Sequence, residues 1–339
     1  MHLRRVNAAA ANTRRADEDR SMQPVLNRIL LALSAAIVML DGCWLIAGHF
    51  SYDASNYGLL FLMVMPLVGA SAFYGSRRRD DALNAALACT AFLIVFPAGC
   101  GLLSYLLLTI AGHRIDALLA TADRAIGFDW SGLMRFIAQY PKTNMILKLA
   151  YVSVLPQTVF LIFALGFGKR IAELYRLSLA LAIGAVITLA VWTLAPSFGA
   201  FSVYTLPDSV AGKLGLVLGF DYGAALVKML HDGPGFISPA ELRGIVGFPS
   251  YHTLQALVLT WYARHLKIWR WPALVLNLMV LAAIPIQGGH HLVDAFGGVA
   301  VAALSIALAG RVVAAAGKRA LPSCPTEPAL ALSPPVGAR

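Results

Sequence analysis

The sequence predicts an all-α membrane protein, a bundle of about 6–8 transmembrane helices with amphipathic helices at one interface. Of its 339 residues, 59% are hydrophobic and only 13% are charged, whereas a soluble domain has about 25% charged residues. Several apolar segments approach the roughly 20 residues that a helix needs to cross a bilayer. Eight candidates occur, at residues 29–48, 57–75, 83–111, 144–167, 176–196, 251–266, 270–288 and 292–314.

The distribution of charge predicts how these helices are oriented. A net charge of +10 would fit nucleic-acid binding, but the basic residues cluster in short loops between alternate apolar segments, which is the positive-inside pattern. These residues are Arg77, Arg78, Arg79, Lys169, Arg170, Arg176, Arg264, Lys267, Arg270, Arg311, Lys318 and Arg319. We therefore expect a multi-pass protein of a bacterial inner membrane with both termini in the cytoplasm. The lipid bilayer is its expected partner, and nucleic acid is not.

The chain divides into one membrane domain with a tail at each end. The polar, Arg-rich residues 1–24 and the Pro-rich residues 317–339 are predicted to be disordered cytoplasmic tails. Residues 25–316 form the membrane-embedded domain. Its cysteines have no ligand-like spacing, so we predict neither a disulfide framework nor a zinc cluster, and no cofactor.

Two long segments face the non-cytoplasmic side in this orientation. Residues 112–143 have the apolar spacing of an amphipathic helix lying at the interface. Residues 197–250 are rich in Gly and Pro and are expected to fold, with a short helix or two, over the end of the bundle.

Two short motifs carry the chemistry. Pro249-Ser250-Tyr251-His252 opens one apolar segment, and His290-His291-Leu292-Val293-Asp294 opens another. Both fall on the non-cytoplasmic side by the charge argument, and ionisable residues at a membrane boundary are usually functional. The apolar run that starts at Tyr251 reaches only Ala263, about 20 Å of helix. Its shortness predicts a site recessed below the interface, as a lipid-tethered phosphate would need.

The residue types in these motifs point to phosphoryl transfer. His290 and Asp294 are four residues apart, so a helix brings them to one face. A carboxylate bonded to one imidazole nitrogen leaves the other free to attack phosphorus. His252 would supply a proton to the leaving oxygen, and Ser250, beside a helix start, would bind phosphate.

The motifs resemble the second and third signatures of the type-2 phosphatidic acid phosphatase superfamily. The runs Gly247–Thr253 and Gly289–Asp294 look most like its inositol phosphorylceramide synthase branch, the aureobasidin-resistance family. The resemblance covers roughly residues 115–310, with Asp123–Trp130 and Ala150–Gln157 among them. It implies a phosphohistidine on His290, a metal-independent reaction, and a lipid phosphate as substrate.

The chain departs from that family at its phosphate-binding cations. The first signature, a lysine and an Arg-Pro pair, is absent, and the Ser-Arg pair expected before the third falls on Ala283 and Ile284. We predict that Arg243 and Lys228 bind phosphate instead, and His231 is a further candidate. Arg243 could equally be an ordinary solvated loop residue.

Three functional alternatives remain open. A phosphotransferase, with inositol or another polyol as acceptor, and a phosphatase, with water as acceptor, share every step up to the phosphohistidine. A non-enzymatic lipid transporter or binding protein is the third alternative, although transporters place polar residues at mid-bilayer.

Individual residues also have interpretations that give them no role in phosphoryl transfer. Either motif histidine alone could be an interfacial hydrogen-bonding residue, and His252, His290 and Asp294 could together bind zinc. His291 is expected to be structural. Asp41, inside the first apolar segment, could pair with Lys148 or stay protonated.

Overall fold

The computed structural model describes residues 2–320, with side chains from residue 19 to 318 except Phe220. The described chain is built from helices, which confirms the predicted all-α class. They are α1 (His2–Ala47), α2 (Ala54–Phe73), α3 (Asp81–Leu107), α4 (Asp116–Ala125), α5 (Trp130–Ile137), α6 (Pro141–Val152), α7 (Val154–Phe167), α8 (Ile171–Leu194), α9 (Asp208–Ala211), α10 (Phe220–Asp232), α11 (Tyr251–Ala263), α12 (Arg270–Gln287) and α13 (Leu292–Ala320).

Within the described chain, six helices are long and apolar enough to cross a membrane. These spans are Asp19–Ala47, Ala54–Arg78, Asp81–Ile110, Ile171–Leu194, Arg270–Gln287 and Leu292–Lys318. The predicted segment 144–167 is broken, because α6 and α7 meet at a 45° bend and together would make a seventh span. Six to seven spans agree with the predicted range.

The segment predicted at 251–266 is a short helix inside the bundle. It forms α11, which has 13 residues and is too short to cross a core about 30 Å thick. Its apolar side chains are buried because α8, α12 and α13 pack around it. The observed length of α11 matches the short apolar run from Tyr251 to Ala263.

Helices extend into both segments that were predicted to be disordered tails. α1 begins at His2, so its backbone is helical where a disordered tail was predicted over residues 1–24. This stretch contains four consecutive alanines, from Ala8 to Ala11, and alanine has the highest helix propensity. α13 continues to Ala320, and the rest of the predicted C-terminal tail, from residue 321, lies outside the described residues.

The centre of the bundle is α8, which packs against α3, α11 and α13. Fully buried side chains such as Leu174, Leu177 and Leu259 form its core. The helices are arranged so that the end of α8, the end of α12 and the starts of α11 and α13 lie together. We call this the site end, and the end that contains Glu173, His265 and Lys318 the basic end.

Candidate active site

The centre of the site end is the pair formed by His290 and Asp294. The two side chains are 4% and 0% exposed, and His290 Nδ1 lies 3.1 Å from Asp294 Oδ2. The backbone N–H of His291 donates to the same oxygen at 2.9 Å. Because a carboxylate only accepts hydrogen bonds, His290 donates from Nδ1, and its Nε2 keeps a free lone pair.

The Pro-Ser-x-His motif is attached directly to this pair. Ser250 precedes α11 and caps it, since its hydroxyl oxygen accepts from the N–H of Thr253 at 3.3 Å. The backbone N–H of Ser250 donates to the carbonyl oxygen of Asp294 at 3.0 Å. The two motifs, about forty residues apart in sequence, therefore form one buried unit.

Two glycines of α13 make this close approach possible. A Cβ at Gly298 would lie 2.5 Å from the carbonyl oxygen of Ser250, and one at Gly297 would lie 2.7 Å from the ring of Phe248. Real side chains do not fit at such distances. Small residues allow helices to pack closely in membranes, and here they bring the start of α11 onto α13.

His252 faces His290 from the first turn of α11. Their ring centroids are 6.5 Å apart, at an interplanar angle of 66°. The His252 ring stacks on Tyr151 of α6 at 4.2 Å, and the Tyr151 hydroxyl lies 3.2 Å from His252 Nδ1. When the phenol donates this hydrogen bond, the hydrogen of a neutral His252 is on Nε2, which is then the ring's only donor.

Asp123 of α4 holds the start of α13 in place. This carboxylate is 1% exposed and accepts from the backbone N–H groups of Leu292 and Val293 at 3.1 and 3.0 Å. These are orphan donors of a helix N-terminus. The fully buried ring of His291 lies beside it, with Nδ1 3.3 Å from Asp123 Oδ2.

Asp116, two turns earlier on α4, holds the segment that covers the site. Its Oδ1 accepts from the Ser197 hydroxyl and from the N–H groups of Phe198 and Gly199, at 2.8 to 3.0 Å. The segment then passes over His290, because the N–H of Ala200 donates to the carbonyl oxygen of Gly289. Residues 197–202 thus form part of the covering predicted for 197–250.

Sequence reasoning missed both aspartates of α4 as part of the site. The signal was present, since Asp116 and Asp123 share one helical face with the buried Leu119 and Ala120. Carboxylates on the apolar face of a helix need buried partners.

Arg243 and Lys228 are predicted to bind phosphate, and each lies in the segment that leads to Ser250. Both are exposed, as is His231, and the Arg243 guanidinium lies 5.8 Å from the ring centroid of Tyr222. In the part of the chain that the structure describes, no hydrogen bond or ion pair joins them to His290, His252 or Ser250. Ala283 and Ile284 are buried and pack against Tyr151.

A further cation lies one helical turn from Tyr151, the residue that contacts His252. Lys148 is on α6, three residues before Tyr151, and is half-buried. Its ammonium donates to the carbonyl oxygen of Leu216 at 3.4 Å, a long hydrogen bond. Over the described residues no carboxylate pairs with Lys148, so the pairing with Asp41 considered above does not occur.

Metal binding was considered for His252, His290 and Asp294. Among the described residues, no group of three or more His, Cys, Asp or Glu side chains is arranged to hold a metal ion.

A helical membrane bundle with a buried histidine–carboxylate pair facing a second histidine defines the class of protein as a membrane-embedded group-transfer protein. The PAP2 superfamily model matches residues 117–308, more than half of the chain. The chain belongs to this superfamily. The match extends from α4 into α13 and so includes Asp123, both motif histidines and Asp294, and it supports a phosphatase- or phosphotransferase-type activity on a lipid phosphate. No curated protein and no solved structure matches the chain.

Proposed function

We propose that this protein is an inositolphosphotransferase-like lipid phosphotransferase that acts through a phosphohistidine on His290. The observation that carries the proposal is the arrangement of two imidazoles, one held by Asp294 and the other 6.5 Å away on a different helix. That separation accommodates one phosphoryl group between the rings. The proposal therefore uses the three active-site residues predicted from the sequence, which are His290, His252 and Asp294.

In the first step, Nε2 of His290 attacks phosphorus and forms the N–P bond while the bond to the leaving oxygen breaks. His252 acts as the acid in its doubly protonated form: it donates the Nε2 proton to that oxygen, which leaves as the lipid alcohol, and the ring becomes neutral. Asp294 stabilises the positive charge that develops on the His290 ring. Ser250 and the amides at the start of α11 hydrogen-bond the phosphoryl oxygens.

In the second step, an acceptor hydroxyl attacks phosphorus and the N–P bond breaks. His252, now a neutral imidazole, takes the acceptor's proton on Nε2 and returns to its starting state. A polyol such as inositol gives a phosphotransferase, and water gives a phosphatase. The inositol phosphorylceramide synthase-like motifs favour the polyol.

We propose that the site faces the non-cytoplasmic side of a bacterial inner membrane. Support comes from the basic end of the bundle, where Lys169, Arg170, Arg176 and Lys318 surround one cavity. Positive residues are concentrated on the cytoplasmic side of membrane proteins, and the two motifs lie at the opposite end.

The acceptor is tested with purified protein in lipid nanodiscs and a panel of ³²P-labelled lipid phosphates. We expect label to appear in inositol phosphate when inositol is added, with less inorganic phosphate released. Release of inorganic phosphate alone, unaffected by inositol or other polyols, would establish water as the acceptor. Equal turnover by wild type and His290→Asn would contradict both versions of the proposal.

We further propose that Lys148 contributes positive charge for phosphate binding, in addition to Arg243 and Lys228. It is half-buried, it has one long hydrogen bond, and it lies one turn from Tyr151, which contacts His252. An ammonium with so few partners, one helical turn from a residue that contacts His252, is suited to neutralise a phosphate.

Lys148→Met is expected to lower kcat/KM by roughly 10- to 100-fold, because a hydrogen bond to a charged group contributes about 1.5–3 kcal/mol. Lys148→Arg should keep part of the activity. The matched control is Lys142→Met, which removes an exposed lysine from the same helix and should leave kcat/KM unchanged. Equal activity of the two methionine variants would exclude Lys148 from phosphate binding.

A further inference from the structure

A second polar site lies between α1, α2 and α3, on the part of the chain that precedes the PAP2 match. It is a cavity of about 160 Å³ whose lining is apolar except for Asp41 and Tyr residues 52 and 57. Phe61, Val95 and Leu102 represent the apolar part. Asp41 has no part in the proposed phosphoryl transfer.

Two polar atoms in this cavity lack partners. Asp41 is 3% exposed, and its Oδ1 makes no hydrogen bond. The buried hydroxyl of Tyr57 also makes none. Buried polar groups in proteins are nearly always hydrogen-bonded, and an unpaired carboxylate in apolar surroundings is especially unfavourable. Both groups can accept a hydrogen bond from a ligand.

A larger cavity continues from this one along the same three helices. It has a volume of about 770 Å³ and shares Val38, Phe61 and Val95 with the smaller cavity. Along α1 it extends from Val38 to Asn27 and beyond, so the distance from Asp41 to Asn27 is about 21 Å at 1.5 Å per residue. An apolar slot of this length suits an acyl chain.

The polar groups at the far end of the slot already have partners. The Asn84 amide donates to Gln23 Oε1 at 3.2 Å, and the Ser71 hydroxyl donates to Asn84 Oδ1 at 2.8 Å. Gln23 in turn donates to the carbonyl oxygen of Asp81. Arg79 also lines that end, but its side chain is exposed to solvent. Among the buried side chains of the groove, the unmet hydrogen-bonding capacity is therefore at Asp41 and Tyr57, which identifies the headgroup end.

The depth of Asp41 fits a headgroup. It precedes the end of α1 at Ala47 by six residues, or about 9 Å of helix, and so lies near a membrane boundary rather than at the midplane. Tyr52, at the mouth of the cavity, pairs with Ile237. That segment leads on to Ser250, so the mouth opens at the site end of the bundle.

The charge of the cavity selects the headgroup. Its lining contains a carboxyl group and, over the described residues, no lysine, arginine or histidine. A primary ammonium has three N–H donors, enough for the Asp41 carboxylate and the Tyr57 hydroxyl together. We infer that this groove binds a membrane lipid with a primary ammonium headgroup, the ammonium at Asp41 and Tyr57 and an acyl chain in the larger cavity.

The test uses the full-length protein and native mass spectrometry. The protein is incubated with equal amounts of phosphatidylethanolamine and phosphatidylcholine that carry the same acyl chains. Wild type is expected to retain phosphatidylethanolamine with a preference of about tenfold or more, since a charge-assisted hydrogen bond contributes at least that factor. Asp41→Asn should reduce the ratio to near one, and Asp41→Glu should largely keep it.

Thr188→Val is the matched control. Thr188 is a buried residue of α8 whose hydroxyl also lacks a partner, and it does not line the groove. This variant should bind both lipids as wild type does. A wild-type ratio near one would overturn the inference, as would an unchanged ratio in an Asp41→Asn variant that melts at the wild-type temperature.

Discussion

His290→Asn is expected to lower turnover of lipid phosphate by at least about 10⁴-fold, as removal of a nucleophile does in other covalent mechanisms. Asparagine can still donate to Asp294, because its side-chain amide lies close to the position of Nδ1. It has no counterpart of Nε2, which in the proposed mechanism attacks phosphorus. The variant should therefore fold normally and fail to form a covalent phosphoryl-protein.

The measurement is a single-turnover reaction with labelled lipid phosphate, followed by quenching and detection of label on the protein. His49→Asn is the control. His49 is exposed in the α1–α2 connection and has a left-handed backbone, a conformation that asparagine tolerates. Label on His290→Asn at the wild-type level would place the nucleophile elsewhere.

A substrate with an activated leaving group separates the roles of the two histidines. His252→Asn should lose about 10²–10⁴-fold in rate with a lipid alcohol as leaving group, the range for general acid catalysis. With a nitrophenyl ester, whose leaving group needs no proton, most of that loss should disappear. His290→Asn should stay inactive with either substrate. Equal recovery of both variants would contradict the assigned roles.

Asp123→Ala is expected to destabilise the protein by about 3–5 kcal/mol, as removal of one partner from a buried charged network does. The change leaves the N–H groups of Leu292 and Val293 without an acceptor. It also removes the carboxylate beside the buried His291. Because the start of α13 positions both His290 and Asp294, activity should fall as well.

Thermal melting in detergent measures the effect, with Asp129→Ala as the matched control. Asp129 caps α5 by accepting from the N–H of Gly132 at 2.9 Å, but its side chain is 69% exposed. Loss of an exposed cap costs about 1 kcal/mol. Asp123→Ala should therefore melt several degrees below Asp129→Ala. Identical melting temperatures would show that the Asp123 contacts do not stabilise the start of α13.

The recessed start of α11 links the fold to the proposed substrate. Because α11 has 13 residues, a start recessed below the membrane surface is expected for His252 and Ser250. A phosphate tethered to a lipid can reach such a depth while its acyl chains stay in the bilayer.

The sequence by itself determined the class of fold and the residues of the two motifs. Apolar runs and their lengths are local properties, and a membrane helix satisfies its backbone hydrogen bonds within itself. The same locality made α11 recognisable as short and made the i, i+4 pairing of His290 with Asp294 predictable. It also allowed the basic loops to predict which motifs share one end of the bundle.

Only the tertiary structure decided what surrounds those residues. Asp116 and Asp123 come from a helix that precedes the motifs by well over one hundred residues, and their partners are backbone amides that sequence does not distinguish. Tyr151 of α6 stacks on His252 of α11 although about one hundred residues separate them in the sequence. The same packing brings Lys148 near the site and leaves Arg243 and Lys228 exposed. Contacts of this kind depend on how helices distant in sequence pack together. The pattern of residues along one helix does not determine which helices lie next to it.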